Sequence, residues 1–163
     1  MLKELVLMRH AHAASPVGWQ ADAERPLSPG GREDAFAAGT WLRESCAPPD
    51  AVLCSPAVRT RETLAQLIHA GCDLPAPDFE PHIYEATLGE LLGVIEARLA
   101  AQPTIERLWL IGHNPGLEQA LFHLDAAARL HGMPPACIAR LGFAGRNPPT
   151  DPGAATIIAT WMP

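Results

Sequence analysis

Lysine is almost missing from this sequence: Lys3 is the only one, and the other eleven of its twelve basic residues are arginines. Eighteen acidic residues outnumber them, giving a net charge of −6. Binding nucleic acid without sequence preference needs a broad basic surface, and this composition excludes one. Long apolar runs are missing too. No stretch approaches the roughly 18 to 20 apolar residues that span a bilayer, which excludes a membrane helix. The run Leu5-Val6-Leu7-Met8 follows Glu4 and stops at Arg9-His10. It is too short for the core of a signal peptide and lacks a small-residue cleavage site, so the expected location is the cytoplasm. The cysteines Cys46, Cys54, Cys72 and Cys137 form no CxxC pair, which argues against a zinc knuckle or a thioredoxin-like motif. Cys54 and Cys137 lie in apolar, strand-like runs and are expected to act as small core residues.

What is present is the make-up of a globular protein, with 48% apolar and 18% charged residues. Three short apolar runs lack alternation: Leu5 to Met8, Ala51 to Cys54, and Leu108 to Ile111. Such runs suit central strands covered on both faces. Between them the spacing is helical. Ala35, Gly39, Leu42 and Cys46 predict a helix from about Pro29 to Ser45, with Ser28 as its N-cap and Pro29 at its first position. Ser55 and Asn114 are read as the same kind of cap, each followed by proline. The helices they would start carry Leu64, Leu67 and Ile68, and then Leu117, Ala120, Leu121 and Leu124. Leu88, Leu91, Leu92, Ile95 and Leu99 mark one more. Ala136 to Phe143 and Ala155 to Trp161 read as an edge hairpin joined by a turn-rich connection over Gly145 to Gly153. The alternation predicts one α/β domain over residues 1–163, a three-layer α/β/α sandwich with a mostly parallel central sheet.

In an open α/β sheet, ligands bind outside the carboxyl ends of the strands. The three central runs end there in Arg9, His10 and His12, then Ser55 and Arg59, then His113 and Asn114. Helix N-termini at the same rim favour an anion, and a guanidinium can grip phosphate through a bidentate fork. Most of the eleven arginines are better explained by codon preference in a GC-rich genome. Arginines and histidines converging on one rim nevertheless make a site suited to a phosphoryl group.

Three blocks carry a resemblance. Leu7-Met8-Arg9-His10-Ala11-His12-Ala13 resembles the Arg-His signature of the histidine phosphatase superfamily. Ser55-Pro56-Ala57-Val58-Arg59-Thr60-Arg61-Glu62-Thr63 is similar to its second arginine block, and Gly112-His113-Asn114-Pro115-Gly116 to its second histidine block. Their order and spacing fit over roughly residues 3 to 124. Arg25-Pro26-Leu27-Ser28-Pro29-Gly30-Gly31 and the short length resemble the SixA-type phosphohistidine phosphatases in particular. The resemblance implies a phosphoglycerate mutase-like fold and a nucleophilic His10 that forms a phosphohistidine. It also implies that Arg9, Arg59 and a protonated His113 bind the phosphate and stabilise charge in the transition state. Neither a metal nor a cofactor is implied.

The general acid is less legible. Glu85 is the leading candidate, with Glu80 and His12 behind it; Glu85 also reads as a carboxylate beside a helix N-terminus. Alkoxide leaving groups need a strong acid, whereas imidazole, with a free pKa of about 6.5, leaves far more easily. The weak acid motif points to phosphohistidine on a protein, such as a histidine-containing phosphotransfer domain. A general or small-molecule phosphomonoesterase on the same fold is the alternative. Two remoter readings are a metal-dependent hydrolase with His10, His12 and His113 as ligands, and a non-catalytic phosphate-binding module. Arg61 is expected to point elsewhere on its helix, and His69, His82, His123 and His131 carry no supporting pattern.

Overall fold

The computed structural model describes residues 1–145 and 148–163. Positions 146 and 147 of the expected turn-rich connection therefore lie outside the described residues. In chain order the elements are β1 (Glu4–Arg9), α1 (Pro29–Ser45), β2 (Ala51–Cys54), α2 (Val58–His69), β3 (Asp78–Phe79) and α3 (Leu88–Ala101), followed by β4 (Arg107–Gly112), α4 (Gly116–Leu124), β5 (Ile138–Phe143) and β6 (Ala155–Trp161). They form one six-stranded sheet of order β3-β2-β4-β1-β5-β6. The three apolar runs sit side by side in it as β2, β4 and β1. Strands β1 to β4 are parallel, and the β5–β6 hairpin closes one edge by antiparallel pairing to β1. This is the three-layer α/β/α arrangement that the alternation predicts.

Side chains alternate between faces along a strand, so each buried run feeds two cores. On one face Leu5, Leu7, Leu53, Leu108 and Leu110 pack against Leu91 and Ile95 of α3 and Leu117 and Leu121 of α4. On the other face Val6, Met8, Val52, Trp109 and Ile111 meet Ala38 and Leu42 of α1 and Leu64 and Leu67 of α2. Each such side chain contributes about 1.5–3 kcal/mol by leaving water, which fixes strand register against both layers. The strand ends that carry the polar residues are thereby held rigidly at one rim.

Helix α1 starts as expected. Ser28 accepts a 3.0 Å hydrogen bond from Gly31 N, and Pro29 occupies the first helical position. A side chain is excluded at Gly31, because a Cβ there would run into the His12 carbonyl. The other two caps need correction. Ala57 caps α2 and Pro115 caps α4, and neither offers a side-chain bond. Ser55 lies too early in the chain to cap α2; its Oγ accepts from Ala57 N at 3.4 Å and stands 2.7 Å from His113 Nε2. The Asn114 amide donates to Met133 O at 3.0 Å and to Glu118 at 3.1 Å, tying the start of α4 to the loop before β5.

Candidate active site

The rim gathers Arg9, His10, His12, Arg25, Arg59 and His113 around a cleft of about 300 Å³. Arg9 and His10 leave the end of β1, His113 follows β4, and Arg59 stands in the first turn of α2. The backbone around His10 is pinned from several sides. Its N–H donates to Gly112 O at 3.1 Å, its carbonyl accepts from Ala136 N at 3.0 Å, and Ala11 N donates to Thr63 Oγ1 at 3.0 Å. A larger groove of about 590 Å³ lies between β3 and α3, but it holds none of the strand-end arginines and histidines.

The His10 ring has a determinate tautomer. Its Nδ1 is 2.7 Å from the Ala11 carbonyl, and a carbonyl only accepts, so Nδ1 carries the proton. Nε2 is left with its lone pair, facing Arg59 Nε at 3.3 Å. Burial, reinforced by the charges of Arg59, Arg9 and Arg25, pushes the His10 pKa down to about 4. A neutral, oriented imidazole at neutral pH is the form a nucleophile requires.

His113 lies beside it, with ring centroids 5.1 Å apart. Burial and the neighbouring His10 and Arg59 push its pKa down to about 3, against a smaller opposing effect of Asp22. In the protein alone these effects favour the neutral ring, while the protonated form expected of His113 is the one that would hold a phosphoryl group. A bound phosphoryl dianion supplies the charge that would favour protonation. The His113 Nδ1 is buried without a hydrogen-bond partner among the described residues. Arg9 anchors Nη1 on Met133 O at 2.9 Å, while its buried Nε has no partner among the described residues.

Three contributors escaped the sequence reading of roles: Asp22, Arg25 and Tyr84. Asp22 lies in a 3-10 turn, Asp22–Glu24, between β1 and α1. Its carbonyl accepts from Arg59 Nη1 at 2.8 Å and its Oδ2 from Arg59 Nη2 at 3.0 Å. Tyr84 OH donates to the same Oδ2 at 2.7 Å, and Arg25 Nη1 donates to Oδ1 at 2.9 Å. These donors, Tyr84 foremost, hold the Asp22 carboxyl far below the usual carboxylate range. Tyr84 also stands edge-on to His113, with centroids 5.4 Å apart. Two signals were visible: Arg25 sits in the Arg-Pro-Leu-Ser block, and Tyr84 is the only tyrosine. Nothing in the sequence marks Asp22 beyond its three-residue spacing from Arg25.

The proposed acids fare differently. Glu85 is exposed with φ 55°, just before the α3 cap, and does not line the cleft. Glu80 is bound to its own neighbour His82, through the backbone N–H at 2.9 Å and Nδ1 at 2.6 Å. His12 does line the cleft, its Nδ1 2.9 Å from Ser28 Oγ. Arg61 turns away to stack 4.2 Å from the Phe79 ring centroid. His69, His82 and His131 are exposed, and His123 pairs with Thr150 O at 2.9 Å. Cys54, Cys72 and Cys137 are buried, and burial pushes Cys54 up to about 12 and the other two up to about 11, so all three stay thiols. Among the described residues, no three His, Cys, Asp or Glu side chains gather as metal ligands, and no helix is long and apolar enough to cross a membrane.

Comparison with known proteins places the fold in a family. Residues 5–131 match the model of the histidine phosphatase superfamily (branch 1). An uncharacterised protein of Mycobacterium tuberculosis is 37% identical over 165 residues, covering 96% of this chain and 99% of its own length. A protein of Nakamurella multipartitia designated phosphohistidine phosphatase SixA superposes with a TM-score of 0.81 at 30% identity, covering 99% of this chain and 96% of that one. Its counterpart from Agrobacterium tumefaciens gives 0.82 at 26% identity with both chains fully covered. A protein histidine phosphatase SixA complexed with tungstate shares the fold at a TM-score of 0.80 and 20% identity, covering 96% and 95% of the two chains. The chain belongs to the histidine phosphatase superfamily, branch 1.

Proposed function

We propose that this protein is a metal-independent phosphatase that removes the phosphoryl group from phosphohistidine on a protein, through a phosphohistidine formed on its own His10. The observation that carries the reading is the Nδ1–H bond to the Ala11 carbonyl, which leaves the His10 Nε2 lone pair facing the cleft arginines. Nε2 attacks phosphorus in line while Arg9, Arg59 and His113 hold the non-bridging oxygens. The leaving group departs, and water then attacks the phosphorylated His10 and regenerates the neutral ring. Cationic side chains supply the charge stabilisation that other phosphoryl-transfer enzymes draw from a metal.

The substrate class follows from what the cleft offers a leaving group. The carboxylate bonded to its arginines, Asp22, is held ionised by Tyr84, Arg25 and Arg59 and has no proton to give. An alkoxide would need one, whereas imidazole leaves readily. The likeness to two proteins designated SixA supports the same substrate. The corresponding partner is a histidine-containing phosphotransfer domain in the cytoplasm. One observation favours a second reading, a general phosphomonoesterase: His12 lines the cleft, where a protonated imidazole can serve an alcohol.

The two readings separate in a competition of substrates. A phosphohistidine-bearing phosphotransfer domain is expected to give a kcat/KM well above that of any sugar phosphate, with an acid-labile phosphoenzyme in the wild type and none in His10→Ala. Fast sugar-phosphate turnover with negligible release from phosphohistidine would overturn the preferred substrate. Unchanged activity in His10→Ala would overturn the mechanism.

A further inference from the structure

The Asp22 carboxylate poses a physical problem. It is the one carboxylate among the described residues that is hydrogen-bonded to arginines lining the cleft. A negative charge there weakens the attraction of those arginines for a phosphoryl dianion. Holding Arg59 does not require that charge, since the neutral Asp22 carbonyl already takes Nη1. A full charge beside a phosphate site needs a positive or N–H-bearing group to meet.

The bonding of Asp22 leaves room for one. A carboxylate offers about four acceptor positions, two on each oxygen. Oδ2 is filled by Arg59 Nη2 and Tyr84 OH, but among the described residues Oδ1 takes only Arg25 Nη1. The side chain is 47% exposed, so Asp22 is not closed off from solvent. It also stands close to the chemistry, because a single guanidinium bridges His10 Nε2 at 3.3 Å and Asp22 Oδ2 at 3.0 Å.

We propose that Asp22 binds the leaving group itself, with Oδ1 accepting a hydrogen bond from the far ring N–H of the substrate's phosphorylated imidazole. This deepens the phosphohistidine reading above and rests on it. A phosphoimidazole that carries a proton on its far nitrogen is cationic in the ring and departs as neutral imidazole. His10 Nε2 forms the new N–P bond as the substrate's N–P bond breaks. The electron pair returns to the substrate ring nitrogen, the far N–H stays on Asp22, and no proton moves. The cleft then needs an acceptor for a protonated ring in place of a proton donor. His10 is treated alike: once phosphorylated on Nε2 it keeps its Nδ1–H on the Ala11 carbonyl, ready to leave in the second step. Each imidazole flanking the phosphorus has its far N–H on a protein oxygen.

The test compares two small substrates on the wild type, Asp22→Asn and Asp22→Ala. One is N-phosphoimidazole. The other is an N-phosphopyridinium, whose leaving ring carries the same charge and no N–H. The expected result is that Asp22→Ala loses about ten- to a hundredfold more kcat/KM with phosphoimidazole than with the phosphopyridinium, as the loss of one charge-assisted hydrogen bond predicts, and that Asp22→Asn, whose amide oxygen still accepts but carries no charge, shows a smaller excess loss. An equal loss with both substrates would overturn the proposal and leave Asp22 a positioning residue for Arg59. A wild type that cleaves the phosphopyridinium but neither phosphoimidazole nor phosphohistidine would instead overturn the substrate class.

Discussion

His10 and His113 face each other across a buried contact, and the protein keeps both uncharged, with pKa values pushed down to about 4 and about 3. Both lie below the ordinary imidazole value of about 6.5, so the unfolded chain binds more protons than the folded one and stability rises with pH. The contribution is complete above about pH 6.5 and is lost as pH falls towards those depressed values. Each ring accounts for about 1.4 kcal/mol per pH unit within that window. Urea unfolding from pH 7 to pH 4.5 is expected to show this slope, reduced in His113→Gln. An equal slope in the variant would mean that His113 is not held neutral. Residue by residue, Arg9, His10 and His113 were legible because each stands at the end of an apolar run, and Arg59 because it follows Ser55-Pro56 in a block that resembles the family's second arginine motif. Asp22 and Tyr84 were not, since 62 positions separate them in sequence and their hydrogen bond exists only in the folded chain.

At the level of elements, the precision of the site depends on how α1 enters. Ser28 N donates to the His12 carbonyl at 2.9 Å, and Gly31 brings the helix backbone against that same carbonyl. Gly31→Ala is therefore expected to cost about 1–3 kcal/mol by overpacking. It should also reduce kcat, because the displaced loop carries the residues just beyond His10. Thermal unfolding and single-turnover phosphorylation would measure both. A fully stable, fully active Gly31→Ala would contradict the close approach. The central strands β1, β2 and β4 were legible from their sequence because burial on both faces makes them continuously apolar. Strand β3 was not, having only two residues. The caps of α2 and α4 were misassigned because the cap rule rewards any Ser or Asn near a helix start. It does not see that His113 and Met133 make competing offers to those side chains.

Across the whole molecule, an acidic chain of net charge −6 concentrates three of its arginines, Arg9, Arg25 and Arg59, on one cleft. The parallel sheet makes this possible by ending β1, β2 and β4 at the same rim, where loops rather than core define the chemistry. Cationic side chains then stand where many phosphoryl-transfer sites use metal ions. Turnover is expected to persist undiminished in excess chelator and to be inhibited competitively by vanadate, an oxyanion that can adopt the geometry of phosphoryl transfer. Loss of activity in chelator, restored by added divalent cation, would overturn the metal-independent reading.

The 2.7 Å contact between His10 Nδ1 and the Ala11 carbonyl has one more consequence. If His10 is the nucleophile we propose, the occupied Nδ1 selects which of two regioisomers the phosphoenzyme becomes. The trapped adduct must be the tele isomer, phosphorylated on Nε2. Its ³¹P chemical shift, or recognition by an antibody selective for tele- over pros-phosphohistidine, will read that choice directly, and a pros adduct would contradict the tautomer.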